Sequence, residues 1–143
     1  PKNEIKSTLT KMQNKKKIDS SLQIITCMNE DSEKAMNRAK RTLAFYVSVG
    51  KIYREFLASN GFKNETKNIF AEYERNGLKN NYELVPESMV NELCIAGTPN
   101  ECKVQLSQFR ETGIDLPIIQ FNPTDNVEDS FNLVTSTFSE ESN

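Results

Sequence analysis

The stretch CIAGTPNECKVQLSQFRETGIDLPIIQF, residues 94–121, decides the reading of this chain because it carries a helix start, a helix stop and a strand in order. Thr98, with Pro99 next and Glu101 three residues on, is a capping box. The Thr98 hydroxyl accepts from the Glu101 N–H while the Glu101 carboxylate reaches back to the cap. Val104, Leu106, Phe109 and Cys102 give the helix an inward side, and Gly113 supplies a left-handed stop. Leu116, Pro117, Ile118, Ile119 and Phe121 then read as a buried strand, while Cys94–Gly97 ahead of the box reads as a strand end or turn.

Outward from that stretch the pattern repeats once. SLQIITCM, residues 21–28, is short, apolar and β-branched, as a strand buried on both faces should be. Asp31 or Ser32 can cap the following helix, whose apolar side is Ala35, Ala39, Leu43, Tyr46 and Val47 and which stops near Gly50. Between 51 and 93 the chain reads as short helices. Ile52, Tyr53, Phe56 and Leu57 precede the Asn60-Gly61 stop; Ile69, Phe70 and Tyr73 precede Asn76-Gly77; Pro86 opens a piece carrying Met89, Val90 and Leu93. Ile5, Leu9 and Met12 predict a surface helix over 3–16, with Lys15, Lys16 and Lys17 at its end as solvated charge or as a phosphate patch. Val127, Phe131, Val134 and Phe138 predict a closing helix over 125–138, and SEESN a frayed end.

The order strand, helices, strand, helix is that of an α/β protein with about two parallel strands and five to seven helices. Two strands apolar on both faces leave edges that must pair with something. The missing strands are expected on a partner chain or upstream of Pro1, which suggests a piece of a longer protein.

Composition narrows the chemistry. With Lys+Arg 18 against Asp+Glu 20 and a net charge of −2, no global basic field invites nucleic acid. No apolar run has the length of a membrane span, and PKNEIKSTLTKMQNKKK lacks the apolar core of a signal peptide, so a cytoplasmic setting is expected. The chain has no histidine, which removes Ser-His-Asp, Cys-His and H-E-x-x-H chemistry from within it. Its three cysteines form no C-x-x-C pair, so no zinc site is signalled and reduced thiols are expected. The five glycines form neither a dinucleotide fingerprint nor a P-loop.

From about residue 20 to residue 123 the sequence resembles the C-terminal part of the luciferase-like monooxygenase superfamily, above all its deazaflavin-dependent reductases. VPESMVNELCIAGTPNECKVQLSQFRETGIDLPIIQFNP, residues 85–123, matches the order of helix, "IAGTP" loop, capped helix, "TGID" turn and final strand with which that family ends. AKRTLAFYVSVGKIYREFLASNGF, residues 39–62, is similar to its helical insertion. The resemblance implies a (β/α)₈ TIM barrel, a fold of roughly 250 residues or more, of which this chain is the last quarter. It maps 1–31 onto a barrel helix and strand seven, 32–96 onto a helical segment and insertion, and 97–143 onto the last helix, strand and helix of a single partial domain.

The function it implies is hydride transfer between coenzyme F420 (a deazaflavin) or FMN and an organic substrate, the cofactor being held mainly by residues outside this chain. The fragment alone is expected to be inactive. Barrel sites lie at the carboxyl ends of strands. There Asn29, Gln120 and Asn122 are the candidate cofactor contacts, although each can equally serve as a turn or a strand stop. Glu30 is the one strand-end carboxylate, and it also reads as solvated charge before a helix start. The expected partners are the remainder of the barrel or a partner strand, with a homo-oligomer as in the family, and neither nucleic acid nor membrane. The rival reading is a non-enzymatic interaction module that pairs through its open strand edge.

Overall fold

The computed structural model describes residues 1–13 and 19–139. Three strands lie parallel: β1 (Ser21–Met28), β2 (Cys94–Gly97) and β3 (Leu116–Phe121). The helices are α1 (Lys2–Gln13), α2 (Ser32–Val49), α3 (Lys51–Leu57), α4 (Lys63–Asn76), α5 (Glu87–Leu93), α6 (Pro99–Arg110) and α7 (Val127–Ser139). Lys15, Lys16 and Lys17 fall outside the described residues, as does most of SEESN.

The two-strand expectation is corrected to three. Cys94–Gly97 is a full partner of β1, with Ile25 opposite Cys94 and Met28 opposite Gly97. Four residues are too few to show an alternating pattern, and what makes them a strand is hydrogen bonding to a segment some seventy residues earlier in the chain. The sheet order is β2-β1-β3, so β1 is central and both of its edges are paired. On the other edge Ser21 faces Leu116 and Thr26 faces Phe121.

Alternation along β1 sends its side chains to two separate cores. Ile25 and Cys27, with Cys94 and Ala96, pack under Ala39, Leu43 and Val47 of α2, Leu57 of α3, Ile69 of α4 and Met89 and Val90 of α5. Ile24 and Met28, with Ile95, pack on the opposite face against Cys102, Leu106 and Phe109 of α6 and Val134 of α7. A central strand covered on both faces needs the continuous apolar run that 24–28 provides.

Several predicted core positions prove to be exposed. Val104 is 60% exposed, because the buried side of α6 is set by Cys102, Leu106 and Phe109 at spacings of four and three, which leaves position 104 on the far side. Ile52, Phe56, Val127 and Phe131 are likewise exposed on their helices. Leu116 (59%) and Ile118 (43%) are exposed although β3 was read as a buried strand. They point to the α2 side of the sheet, beyond the reach of α2 to α5, whereas Ile119 and Phe121 point into the α6 side and are covered. Gly113, at φ +94°, makes the left-handed turn that the sequence predicts after α6.

Candidate functional site

Ligands of parallel α/β sheets sit beyond the carboxyl ends of the strands, where the loops into the next helices diverge. At that end β1 leads into Asn29 and β3 into Asn122. Asn29 ties all three strand ends together. Its backbone N–H donates to the Gly97 carbonyl at 3.1 Å, and its side-chain Nδ2 donates to Thr124 Oγ1 at 2.9 Å and to Asp125 Oδ2 at 2.7 Å. Its Oδ1 accepts from the Asp31 N–H at 2.9 Å, which sets the turn into α2. Thr124 in turn donates to the Met28 carbonyl at 2.8 Å. The Asn29 amide, followed by Lys34, holds the Asp125 carboxyl below the usual carboxylate range.

Asn122 is buried beside this network. Its N–H donates to the Thr26 carbonyl, its Nδ2 to the Gln120 carbonyl at 2.8 Å, and its Oδ1 accepts from Thr42 Oγ1 at 3.3 Å. Gln120 Nε2 donates to the Tyr46 hydroxyl at 2.9 Å. The three residues singled out in the sequence thus gather at one end of the sheet, on the β1 and β3 side. Asn29 and Asn122 have both ends of their amides engaged within the chain, whereas Gln120 retains an Oε1 with no hydrogen-bond partner among the described residues. Glu30 is exposed and stands outside the network.

The Gly97-Thr98-Pro99 loop is filled by the protein's own carboxylate. Glu101 Oε2 accepts from Thr98 N at 2.7 Å, from Thr98 Oγ1 at 2.9 Å and from Ser32 Oγ at 2.9 Å. These bonds, the Thr98 backbone bond foremost, hold the Glu101 carboxyl below its ordinary value. Gly97 sits at φ +146°, where any side chain is strained, and a Cβ there would also lie 2.5 Å from that oxygen and push it from its place. The predicted capping box therefore exists, and the donors that could have held a foreign anion are occupied.

The thiols are inert. Burial pushes Cys27 and Cys102 up to about 12 and Cys94 well above its ordinary value, so none supplies a thiolate at neutral pH. Among the described residues no group of His, Cys, Asp and Glu could hold a metal ion, and no helix is long and apolar enough to cross a membrane.

Sequence reasoning missed Arg38, Thr42, Tyr46, Thr124 and Asp125. Arg38 Nε donates to the Pro123 carbonyl and its Nη1 to Thr42 Oγ1, both at 3.0 Å, which anchors the loop after β3 to α2. A signal was present: Arg38 and Thr42 are polar residues four apart, adjoining the inward stripe of Ala35, Ala39 and Leu43.

A family model for luciferase-like monooxygenases matches residues 4–116. That span is most of the chain, and the chain belongs to this family. The solved structure of the coenzyme F420 dependent tetrahydromethanopterin reductase from Methanopyrus kandleri matches with a TM-score of 0.66 at 18% identity, over 82% of this chain and 33% of that one. The chain thus spans about a third of the length of that reductase, and at this identity the likeness speaks for the fold: parallel α/β, a part of a (β/α)₈ barrel. No curated protein sequence matches the chain.

Proposed function

We propose that the chain is part of a flavin- or deazaflavin-dependent oxidoreductase that moves a hydride between its cofactor and an organic substrate. The observation that carries this reading is the family match over 4–116. The reductase resembled in fold is F420 dependent by its own description, which makes coenzyme F420, with FMN beside it, the cofactor class to test.

The residues at the strand ends fit such a group. Asn29, Gln120 and Asn122 are neutral hydrogen-bonding side chains, and neither a reactive thiol nor a buried acid lies among them. When bound, the cofactor supplies the hydride chemistry itself, and a site of this kind has to orient a ring and exclude water. In our reading Gln120 offers its Oε1 to the ring, while Asn29 and Asn122 hold the 122–125 loop in place behind it. The rest of the cofactor's contacts belong to other βα units of the barrel. A cytoplasmic setting and a homo-oligomer complete the proposal.

The test is fluorescence titration with reduced and oxidised coenzyme F420 and with FMN, on this chain and on the chain joined to the remaining barrel units. Saturable quenching that weakens in Gln120→Ala supports the reading. Absence of binding for every cofactor in both forms sinks it. A specific observation favours a second reading, a module that pairs by strand addition: β3 is an edge strand with Leu116 and Ile118 exposed beside its free edge. That module would bind a partner polypeptide and no flavin.

A further inference from the structure

Arg38 and Arg41 lie one turn apart on α2 and both line an open cleft of about 440 Å³, together with Thr42, Tyr82 and Asn122. Neither arginine forms an ion pair with a carboxylate among the described residues, so two positive charges face the cleft without a counter-ion. Both are held in place. Arg38 is fixed by its bonds to the Pro123 carbonyl and Thr42 Oγ1, which use Nε and Nη1 and leave Nη2 unengaged. The Arg41 guanidinium stacks over the Tyr82 ring at 3.7 Å. Stacking covers one face of a guanidinium and leaves its in-plane N–H donors free, and none of them has an acceptor among the described residues.

The remaining wall is apolar. Phe45 and Leu78, 45% and 44% exposed, line the same cleft. Pre-positioned guanidiniums beside an uncovered apolar wall match a ligand with a multiply charged anionic group on an apolar body. The open Arg41 fork with Arg38 Nη2 beside it favours a phosphate, which accepts several N–H bonds and carries close to two charges.

We propose that this cleft is a binding site for a phosphorylated organic ligand, Arg38 and Arg41 on the phosphate and Phe45 and Leu78 on the body. The anion site stands independently of the oxidoreductase reading. That reading enters only in naming the ligand, for then the phosphate is the cofactor's tail. A separate phosphorylated substrate has the same chemistry, and the experiment separates the two sources.

The experiment is calorimetric titration of the chain with inorganic pyrophosphate, FMN and riboflavin in low-salt, phosphate-free buffer, repeated on Arg41→Ala, Arg38→Lys and the control Arg75→Ala. Arg75 is exposed and beside Glu72 on α4. The expected result is that pyrophosphate binds, that Arg41→Ala weakens it about tenfold or more, as loss of charge-assisted bonds requires, and that Arg75→Ala does not. If FMN binds about tenfold more tightly than riboflavin and pyrophosphate displaces it, the cleft holds the cofactor's tail. If pyrophosphate binds through Arg41 but FMN does not compete, the anion site stands and takes another phosphorylated ligand, while the cofactor reading fails on its own. Absence of pyrophosphate binding, or equal loss in Arg41→Ala and Arg75→Ala, overturns the site.

Discussion

Glu101 shows how much one side chain can do when its neighbours are all donors. Its carboxylate takes three hydrogen bonds and is nearly at the surface, so its charge costs little to keep and its acidity is raised by the bonds themselves. The folded-state value lies below the ordinary 4.5, so the carboxylate binds its proton more weakly folded than unfolded. The stability it contributes is therefore complete above that ordinary value and is lost as pH falls through the folded one. Thermal midpoints of the native chain and of Glu101→Gln should differ at about pH 6 and converge toward about pH 3. A constant difference across that range would contradict the assignment. This residue was legible because a cap is local: donor, acceptor and proline lie within four positions. Asn29, Gln120 and Asn122 were placed correctly at strand ends, but their partners Thr42, Tyr46, Thr124 and Asp125 lie 74 to 96 residues from at least one of them, beyond any local pattern.

Among the elements, β2 is the one the sequence concealed. Its outer edge has no neighbouring strand among the described residues, and a side chain stands in for one. Gln105 Oε1 accepts from the Ala96 N–H at 2.7 Å while its Nε2 donates to the Ala96 carbonyl at 2.9 Å, the pair of bonds a strand would make. Ala96 is buried, so without Gln105 its peptide groups would be left unsatisfied away from water. Replacing Gln105 by Ala should cost about 1–3 kcal/mol in urea unfolding, with little change in the denaturant slope. A loss under about 0.5 kcal/mol, the usual surface value, would show that water substitutes for the amide. Nothing in "CKVQLSQF" announces this role, since a glutamine on a helix is ordinary until the strand it faces is known.

At the scale of the whole molecule the strand order carries the most information. Consecutive strands of a (β/α)₈ ring neighbour one another in chain order, so β1, mapped above as strand seven, belongs beside β3, the last strand. Here β3 does pair with β1, β2 adds to the other edge of β1, and helices cover both faces of the sheet. Six residues of β3 find partners along β1, whereas the four-residue outer edge of β2 is capped by Gln105. The family match ends at Leu116, the first residue of β3. Two of the three strands followed from apolar runs, whereas β2 and the edge it joins did not, since a four-residue strand carries no label for its partner. The exposed face of β3 should make the chain self-associate. Ile118→Lys is expected to shift sedimentation at high concentration toward the monomer while leaving the thermal midpoint close to that of the native chain. An unchanged mass distribution would mean that this edge is not the contact.

The bond from Ser32 Oγ to Glu101 Oε2 also has a mechanical side. Ser32 opens α2 on one face of the sheet, and Glu101 lies in the first turn of α6 on the other. The carboxylate thus spans the rim of the sheet and resists shear between the two helical layers. Protonating it would slacken that tie at the end of the molecule where the loops converge, so acid would change how far α2 can slide, and with it the spacing between the cleft's cations and the loop after β3.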